Sequence, residues 1–356
     1  MVTTGAVGVL ALLGVLWLAA FSSPWGAPLA ATPARPATDL PALPLLRTLD
    51  EPADAVGALA FSPDAALLAT GGPRREVLFW DTATGRAVRA LRQSGFPSAE
   101  DSAVTAIAFS RTGATVAAGR LDGNVSLWDT ATGHELARRR GAAVASLAFS
   151  PDGRTLAVGH AEGTVALWDV AHGRELRVVP AHQGLVAAVA FAPVGASLAT
   201  GSWDRTVKLW DIATGRELRA LSPGYPVSYL TFSPDGRMLA VGGGREVALW
   251  DAAAERQPRG LEHPAIVAGI AFSPDGRLLI SAASDGGVRS WSVADGQLTG
   301  AARGQTTLAL AAFAPRRGIL AATRIPAPRN GLRDGDATES PVRLWELRQS
   351  AAPRRP

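Results

Sequence analysis

Two sets of polar residues share one internal spacing, and their types are those of a hydrolase charge relay. The first set is His182, Thr200 and Asp204, and the second is His263, Ser281 and Asp285. A carboxylate, an imidazole and a hydroxyl could together activate the hydroxyl oxygen for attack on a carbonyl carbon. Such a nucleophile also needs an oxyanion hole and a cleft, and the chain contains no nucleophile-elbow motif. Residue types alone do not decide between a catalytic and a structural role, so the elements that carry these residues must be identified first.

Tryptophan and phenylalanine each recur at a nearly constant interval along the chain. The tryptophans of this series are Trp80, Trp128, Trp168, Trp210, Trp250, Trp291 and Trp345. The phenylalanines that recur at nearly the same interval are Phe61, Phe109, Phe149, Phe191, Phe232, Phe272 and Phe313. The first five tryptophans are each followed by Asp. Two markers with a shared period of about 40 residues indicate a unit repeated seven times, and a Trp-Asp ending is typical of propeller blades.

The repeat around Trp210 shows what one unit contains. A short apolar run at 186–191 and further strand-like runs at 197–201, 206–210 and 217–221 are separated by turns rich in Gly, Pro and Asp. Four short strands with tight turns are therefore predicted for each unit. The first run is rich in alanine, as expected where seven sheets crowd around one axis. The large tryptophan of the third run is expected to pack between neighbouring sheets.

These repeats resemble the WD40-repeat family over residues 45–347. Family members carry a buried tetrad of His, Ser or Thr, Asp and Trp, and two units match it throughout. The matching residues are His182, Thr200, Asp204 and Trp210, then His263, Ser281, Asp285 and Trp291, with the same separation from His to Trp in both. Other units depart from the pattern, with Glu162 in place of the Asp, or Arg74 and Gly244 at that position. The resemblance implies that the tetrads are structural, because the hydroxyl lies within a strand beside Trp, where no substrate can reach it.

The predicted fold is an all-β, seven-bladed propeller of four-stranded blades that occupies residues 44–348. The seventh unit ends at Leu347, before a fourth strand can form, and residues 45–49 resemble the fourth strands of other units. Pairing the two ends of the chain would cover both exposed sheet edges and close the ring. A monomeric ring is expected. Residues 349–356 are interpreted as a disordered tail.

The N-terminal segment is predicted to be a hydrophobic helix that precedes the ring. No charged side chain occurs between Met1 and Ala34, and the apolar run at 5–21 has a length at the short end of the range for a membrane span. Residues 1–21 could be a membrane anchor with a single span, or a cleaved signal that leaves the ring extracytoplasmic. The membrane is therefore an expected partner. Residues 22–43, rich in Pro and Ala, are interpreted as an extended linker.

Composition excludes several classes of function. The chain has no cysteine, which removes disulfides, thiolate metal ligands and cysteine nucleophiles together. Its net charge of +4 comes from arginines spread over all the repeats, without the basic stripe of a nucleic-acid binder. We expect no nucleic-acid partner, no cofactor, no metal site and no catalytic residue. The alternative, a ligand-binding or enzymatic propeller that uses the axial channel, would need polar residues around the channel mouth, and the first strands supply mostly small and apolar ones.

The expected function is that of a non-catalytic scaffold, and the places where the repeat is interrupted indicate its binding face. Insertions at 93–103 and 325–340 fall in loops that a propeller presents on one face, and such loops often bind partners. Arginine and aromatic residues dominate binding hot spots. The candidate contacts for a protein or peptide on this face are Arg74, Phe96, Arg120, His160, Trp203, Tyr225, Arg245, Arg329 and Arg333.

Overall fold

The structure is a computed structural model in which seven antiparallel four-stranded blades surround one axis. It describes residues 31–32, 41–49, 56–73, 76–92, 103–194, 196–253, 258–304, 307–324 and 342–347. The four strands of each blade lie side by side from the axis outward, and we call them the inner, second, third and outer strand. The inner strands of successive blades contact one another. The inner strand of blade seven also contacts the inner strand of blade one. The predicted seven-bladed propeller is thereby confirmed.

Alanine and valine dominate the strands nearest the axis, where there is little room for larger side chains. The inner strands are Ala58–Phe61, Val104–Phe109, Val144–Phe149, Val186–Phe191, Tyr229–Phe232, Val267–Phe272 and Leu308–Ala314. The second strands are Leu67–Gly71, Thr115–Arg120, Thr155–His160, Ser197–Ser202, Met238–Gly243, Leu278–Ala283 and Ile319–Arg324.

Larger and more polar residues follow towards the rim, where the sheets splay apart. The third strands are Glu76–Asp81, Asn124–Asp129, Thr164–Asp169, Val207–Asp211, Glu246–Asp251, Gly287–Ser292 and Arg343–Glu346. The outer strands of blades one to six are Ala87–Arg92, Glu135–Arg140, Arg174–Pro180, Glu217–Leu221, Arg259–Glu262 and Leu298–Arg303.

The beginning of the chain supplies the outer strand of blade seven. Leu45–Thr48 runs antiparallel to the third strand of that blade, with Leu45 opposite Trp345 and Thr48 opposite Arg343. The predicted closure of the ring is confirmed by this pairing. Farther upstream, Ala42 pairs with the outer strand of blade six, and Ala31–Thr32 pairs in parallel with that of blade five. The described parts of the N-terminal segment therefore lie against the outer strands of blades five and six and form that of blade seven.

Residues 1–30 lie outside the described residues, and so do 33–40 and 348–356. The predicted hydrophobic helix, most of the linker and the tail fall in these segments. Within the part of the chain that the structure describes, no helix has the length and apolar character needed to cross a membrane.

The repeated tryptophan packs each blade against the preceding one. Trp128 of blade two lies in a buried cluster with Phe79 and Leu91 of blade one. Trp291 of blade six packs in the same way among residues of blade five. A fully buried aromatic side chain contributes roughly 1.5–3 kcal/mol through burial of its apolar surface. The regular tryptophan interval in the sequence is thus the interval of the interface between blades.

Glycine near the end of the second strand allows the next blade to approach closely. A Cβ atom on Gly71 would lie 2.5 Å from Cγ1 of Val104, the first residue of the next inner strand. Gly119 faces Val144 in the same manner. Because these contacts leave no room for a methyl group, the glycine fixes the distance between neighbouring blades at the axis.

The direction of the strands gives the disc two different faces. Connections from second to third strand, and from outer strand to the next inner strand, emerge on one side, which we call the insertion face. Turns from inner to second strand and from third to outer strand emerge on the other side, the turn face. Arginines on outer strands brace the turn face by donating hydrogen bonds to carbonyl groups in the next blade. These arginines are Arg89, Arg139, Arg177, Arg219 and Arg259.

Candidate interaction surface

The polar set in blade four forms one connected hydrogen-bond network beneath the insertion face. Nε2 of His182 lies 2.7 Å from Oγ1 of Thr200, which also accepts a hydrogen bond of 2.9 Å from the indole N–H of Trp210. Nδ1 of His182 lies 3.2 Å from Oδ2 of Asp204. The second strand positions Thr200, and the tight turn that follows it positions Asp204. The residues spaced like a tetrad in the sequence are therefore in contact.

Electrostatics keep the imidazole in this network neutral and the carboxylate ionised. Burial lowers the pKa of His182. Burial opposes ionisation of Asp204, but hydrogen bonds from Thr206 and from the backbone N–H of Gln183 outweigh it and lower the pKa of the carboxyl. A neutral His182 donates from Nδ1, which lies 2.9 Å from the Thr206 hydroxyl oxygen and 3.2 Å from Oδ2 of Asp204, and it accepts from the Thr200 hydroxyl at Nε2. Because Thr200 is completely buried, its hydroxyl has no face open to a substrate.

Blade six differs from the predicted tetrad, because Asp285 does not contact His263 through a hydrogen bond. Nε2 of His263 lies 2.7 Å from Oγ of Ser281, and the N–H of Trp291 donates to the same oxygen at 2.9 Å. Nδ1 of His263 instead lies 3.0 Å from the carbonyl oxygen of Leu261. The Asp285 carboxylate pairs with the guanidinium of Arg289 at 3.1 Å. The expected four-membered network is thus a three-membered one with a separate ion pair.

The cause of this difference lies in two positions of the third strand. Arg289 is a completely buried cation and needs an anion, and among the described residues it pairs with the carboxylate of Asp285. Gly287 makes the space, because a Cβ atom there would collide with the guanidinium group. In blade four the corresponding position is Thr206, whose hydroxyl donates to Asp204 at 2.6 Å and holds it beside the histidine.

Three tryptophans donate their indole N–H to a hydroxyl group at the tetrad position, those of blades one, four and six. Blade one has one, since the N–H of Trp80 donates to Oγ1 of Thr70 at 2.9 Å without a histidine. The second strands of blades three and five carry Val158 and Val241 at this position, opposite Ala166 and Ala248. Within the described residues, the buried N–H groups of Trp168 and Trp250 have no hydrogen-bond acceptor. The network is therefore complete only in part of the ring.

Acid is expected to weaken the fold through His263. Burial and the nearby Arg289 lower the pKa of His263 to about 4, whereas the unfolded value is about 6.5. Between these two values the unfolded chain binds one more proton than the folded chain, so stability present above pH 6.5 is lost as the pH falls towards 4. The free energy of unfolding should drop by about 2 kcal/mol between pH 7 and pH 5. His182 shifts in the same direction and should add to the loss.

Urea unfolding at pH 5, 6 and 7 measures this loss, and His263→Gln should flatten the profile. Carboxyl groups whose pKa values are lowered, such as that of Asp275, titrate below this range and do not interfere. His134→Gln is the matched control, because His134 is exposed on a turn. A profile that His263→Gln leaves unchanged would contradict the assignment.

The candidate contacts predicted on the insertion face separate into three groups. Trp203 is partly exposed and Arg245 is exposed, and both belong to connections between second and third strands. The Arg245 guanidinium donates to the carbonyl oxygens of His263 and Pro264, which anchors it against blade six. Arg74, Phe96, Arg329 and Arg333 lie outside the described residues.

The third group corrects the prediction from sequence, because Arg120, His160 and Tyr225 are buried, with exposed fractions of 0, 6 and 5%. Arg120 and His160 end second strands and point into the ring wall. Burial lowers the pKa of His160, whose Nδ1 lies 2.9 Å from the Thr164 hydroxyl. The Tyr225 hydroxyl donates to the carbonyl oxygen of Val241 at 3.1 Å, and burial raises its pKa. These side chains stabilise the blades instead of facing a partner.

Sequence reasoning missed one exposed residue on this face. Arg205 lies in the same turn as Trp203 and Asp204 and is exposed, with a positive φ of 71°. Its position two residues after Trp203 could have been noticed from the spacing of the tetrad. Among the described residues, no group of three or more His, Asp or Glu side chains is arranged to hold a metal ion.

Comparison with known proteins agrees with the fold. The sequence model of the WD40 family (WD domain, G-beta repeat) matches six segments that together cover more than half of the chain. They are residues 43–81, 92–129, 130–169, 173–211, 215–251 and 257–292. The chain belongs to the WD40-repeat family. Its seventh blade is not matched by the family model but is present in the structure.

Solved structures include chains that match this fold. One of them, the crystal structure of RRP9 WD40 repeats, superposes with a TM-score of 0.73 over 86% of this chain and 99% of its own. The two sequences are 21% identical, so the likeness concerns the fold. No curated protein matches the chain. The chain is a WD40 propeller, and propellers of this family typically act as scaffolds for protein interactions.

Proposed function

We propose that this WD40 propeller is a non-catalytic scaffold, tethered at a membrane by its N-terminal segment, that binds a protein or peptide partner on the insertion face. The observation that carries the binding face is the turn at 203–205, where a partly exposed indole and an exposed guanidinium adjoin the rigid network of blade four. Trp and Arg supply most of the binding energy at many interfaces, particularly when they are held in place. The hydrogen-bond network below Trp203 would hold this turn in place before the partner arrives. Binding would then not have to bear the entropy cost of ordering the turn.

The two insertions that interrupt the repeat, at 93–103 and 325–340, also support the insertion face as the binding face. One lies between Arg92, which ends the outer strand of blade one, and Val104, which begins the next inner strand. The other lies between Arg324 and Arg343, the end of a second strand and the start of a third. Connections of both kinds emerge on the insertion face. Phe96, Arg329 and Arg333 within them remain proposed contacts.

The membrane tether rests on the sequence alone. The segment before Ala34 carries no charged side chain and contains an apolar run long enough for a short span. Fractionation of the tagged full-length chain tests this. Recovery in membranes would support an anchor, recovery of a shortened chain in an extracytoplasmic fraction would support a cleaved signal, and an intact chain in the cytosol would contradict both.

Trp203→Ala is expected to weaken partner binding by roughly 2 kcal/mol, a loss of about thirtyfold in affinity. The physical reason is the loss of the largest apolar surface in the turn, while the buried network below remains. The partner would first be isolated by cross-linking to the full-length chain, and its dissociation constant then measured for each variant. His134→Ala, on the turn face, is the matched control and should bind like the unmodified chain. Equal affinities for the two variants would contradict the assignment of this face.

A further inference from the structure

The turn face carries a cavity that the function proposed above does not use. It has a volume of about 350 Å³ and lies where the turns of blades seven and one meet, with one residue from blade two at its edge. Phe61, Pro63, Phe313 and Pro315 form apolar walls, and Arg111 and Arg316 stand at its rim. Both arginines are exposed. The volume is at the lower end of ligand-binding pockets and suits one or two amino-acid side chains.

The charge at this cavity differs from that of the corresponding turns elsewhere in the ring. Blades three, five and six each carry Ser-Pro-Asp-Gly-Arg there, at 150–154, 233–237 and 273–277, so that one carboxylate accompanies each guanidinium. In blade five these two groups are 3.8 Å apart. Blade two has Ser-Arg-Thr-Gly-Ala at 110–114, and blade seven has Ala-Pro-Arg-Arg-Gly at 314–318. The aspartate is thus missing from the two turns that flank blade one.

Asp64 of blade one neutralises only part of this excess. Its Oδ1 accepts hydrogen bonds from the Ser62 hydroxyl at 2.6 Å and from the Ala66 N–H at 3.0 Å, and these bonds together with the charge of Arg317 lower the pKa of the carboxyl. The turns of blades seven, one and two therefore carry three guanidinium groups, those of Arg111, Arg316 and Arg317, and one carboxylate. Among the described residues, neither Arg111 nor Arg316 forms a salt bridge.

We propose that this cavity binds a linear peptide segment of a partner protein in which an Asp or Glu adjoins a large apolar side chain. The apolar walls would take the side chain, and the two guanidinium groups would take the carboxylate, which matches their planar fork. A peptide suits the site because its recognition elements are small, close together and of two kinds. This site is independent of the insertion face, since it is formed by turns on the opposite side of the disc.

The test uses the full-length chain and a fluorescein-labelled decapeptide that alternates Phe and Glu, followed by fluorescence anisotropy. Binding should be detectable at low ionic strength, weaken with added salt, and fall at least tenfold for a peptide with Gln in place of Glu. The double variant Arg111→Glu, Arg316→Glu should also lower the affinity at least tenfold. The matched control, Arg154→Glu with Arg277→Glu, changes the same charge on equivalent exposed turns and should leave the affinity within twofold.

Several results would overturn the proposal. They are no binding up to millimolar peptide, an equal loss in both double variants, and an unchanged affinity in the Arg111, Arg316 variant. A labelled single-stranded oligonucleotide serves as a further probe, and its binding would reassign the cavity to nucleic acid if the Arg111→Glu, Arg316→Glu variant abolishes that binding while the peptide does not bind at all. If the glutamate variant does not fold, the same comparison with alanine substitutions replaces it. Loss of peptide binding with Trp203→Ala would also contradict the proposal, whereas failure of the insertion-face proposal would leave it standing.

Discussion

A chain that begins at residue 50 is expected to lose cooperative unfolding, whereas a chain that begins at residue 41 should retain it. The longer deletion removes the outer strand of blade seven and exposes the edge of Arg343–Glu346. It also removes Leu43 and Leu49, which are 6 and 3% exposed and pack in clusters with Trp345 and Trp80. Burial of these two leucines alone contributes roughly 3–6 kcal/mol, a large part of the 5–15 kcal/mol that stabilises a typical domain.

Calorimetry and urea unfolding of the two truncated chains measure this difference. The chain from residue 41 is the matched control, because it lacks the apolar N-terminus and the pairing of Ala31–Thr32 but keeps the closing strand. It should unfold in one transition close to that of the full-length chain. The chain from residue 50 should unfold over a broad range or aggregate. Similar sharp transitions for both would mean that the N-terminal strand does not hold the ring closed.

The fold could be predicted from the sequence because each blade repeats a local pattern. The tryptophan and phenylalanine intervals, the turns and the missing last strand are all visible without knowledge of distant contacts. Even ring closure followed from counting, since a blade with three strands needs a fourth. Each tryptophan packs against the preceding blade. Because this contact recurs in every blade, tryptophan recurs at a regular interval in the sequence.

The candidate site was less predictable because neighbours in space, not in sequence, decide its chemistry. Nothing in the spacing of His263 and Asp285 reveals that Arg289 takes the carboxylate, since this depends on the space left by Gly287. The Tyr225 hydroxyl is buried against the carbonyl oxygen of Val241 in the next hairpin, a contact that the spacing does not indicate. The arginines that brace the turn face donate to carbonyl groups a whole repeat away in sequence, and no local pattern indicates them.

The cavity on the turn face was also beyond prediction from the sequence, although the charges around it were not. The substitutions that remove Asp from the turns of blades two and seven can be read in the sequence. That they meet beside a cavity depends on the closure of the ring, which brings residues 111 and 316 to one site. An insertion can be recognised in the sequence, whereas a cavity cannot. The sequence alone therefore draws attention to the insertion face and not to the turn face.

Thr200→Val is expected to destabilise the propeller by roughly 2–6 kcal/mol, because one hydroxyl satisfies two buried groups. The change keeps the shape of the side chain but removes the acceptor of the Trp210 N–H and the donor to Nε2 of His182. Thr200 is completely buried and His182 is 8% exposed, so water cannot readily replace the lost bonds. Each buried polar group left without a partner costs about 1–3 kcal/mol.

Thr70→Val in blade one is the matched comparison. Thr70 is also buried and accepts from the N–H of Trp80, but no histidine contacts it, so only one group is left unsatisfied and the loss should be roughly half as large. Thr200→Ser keeps the hydroxyl and should stay within about 1 kcal/mol of the unmodified chain. Urea unfolding at pH 7 of the three variants separates hydrogen bonding from packing. Equal losses for Thr200→Val and Thr70→Val would show that His182 adds nothing to the network. A loss for Thr200→Ser as large as for Thr200→Val would assign the stability to the methyl group and refute the hydrogen-bond argument.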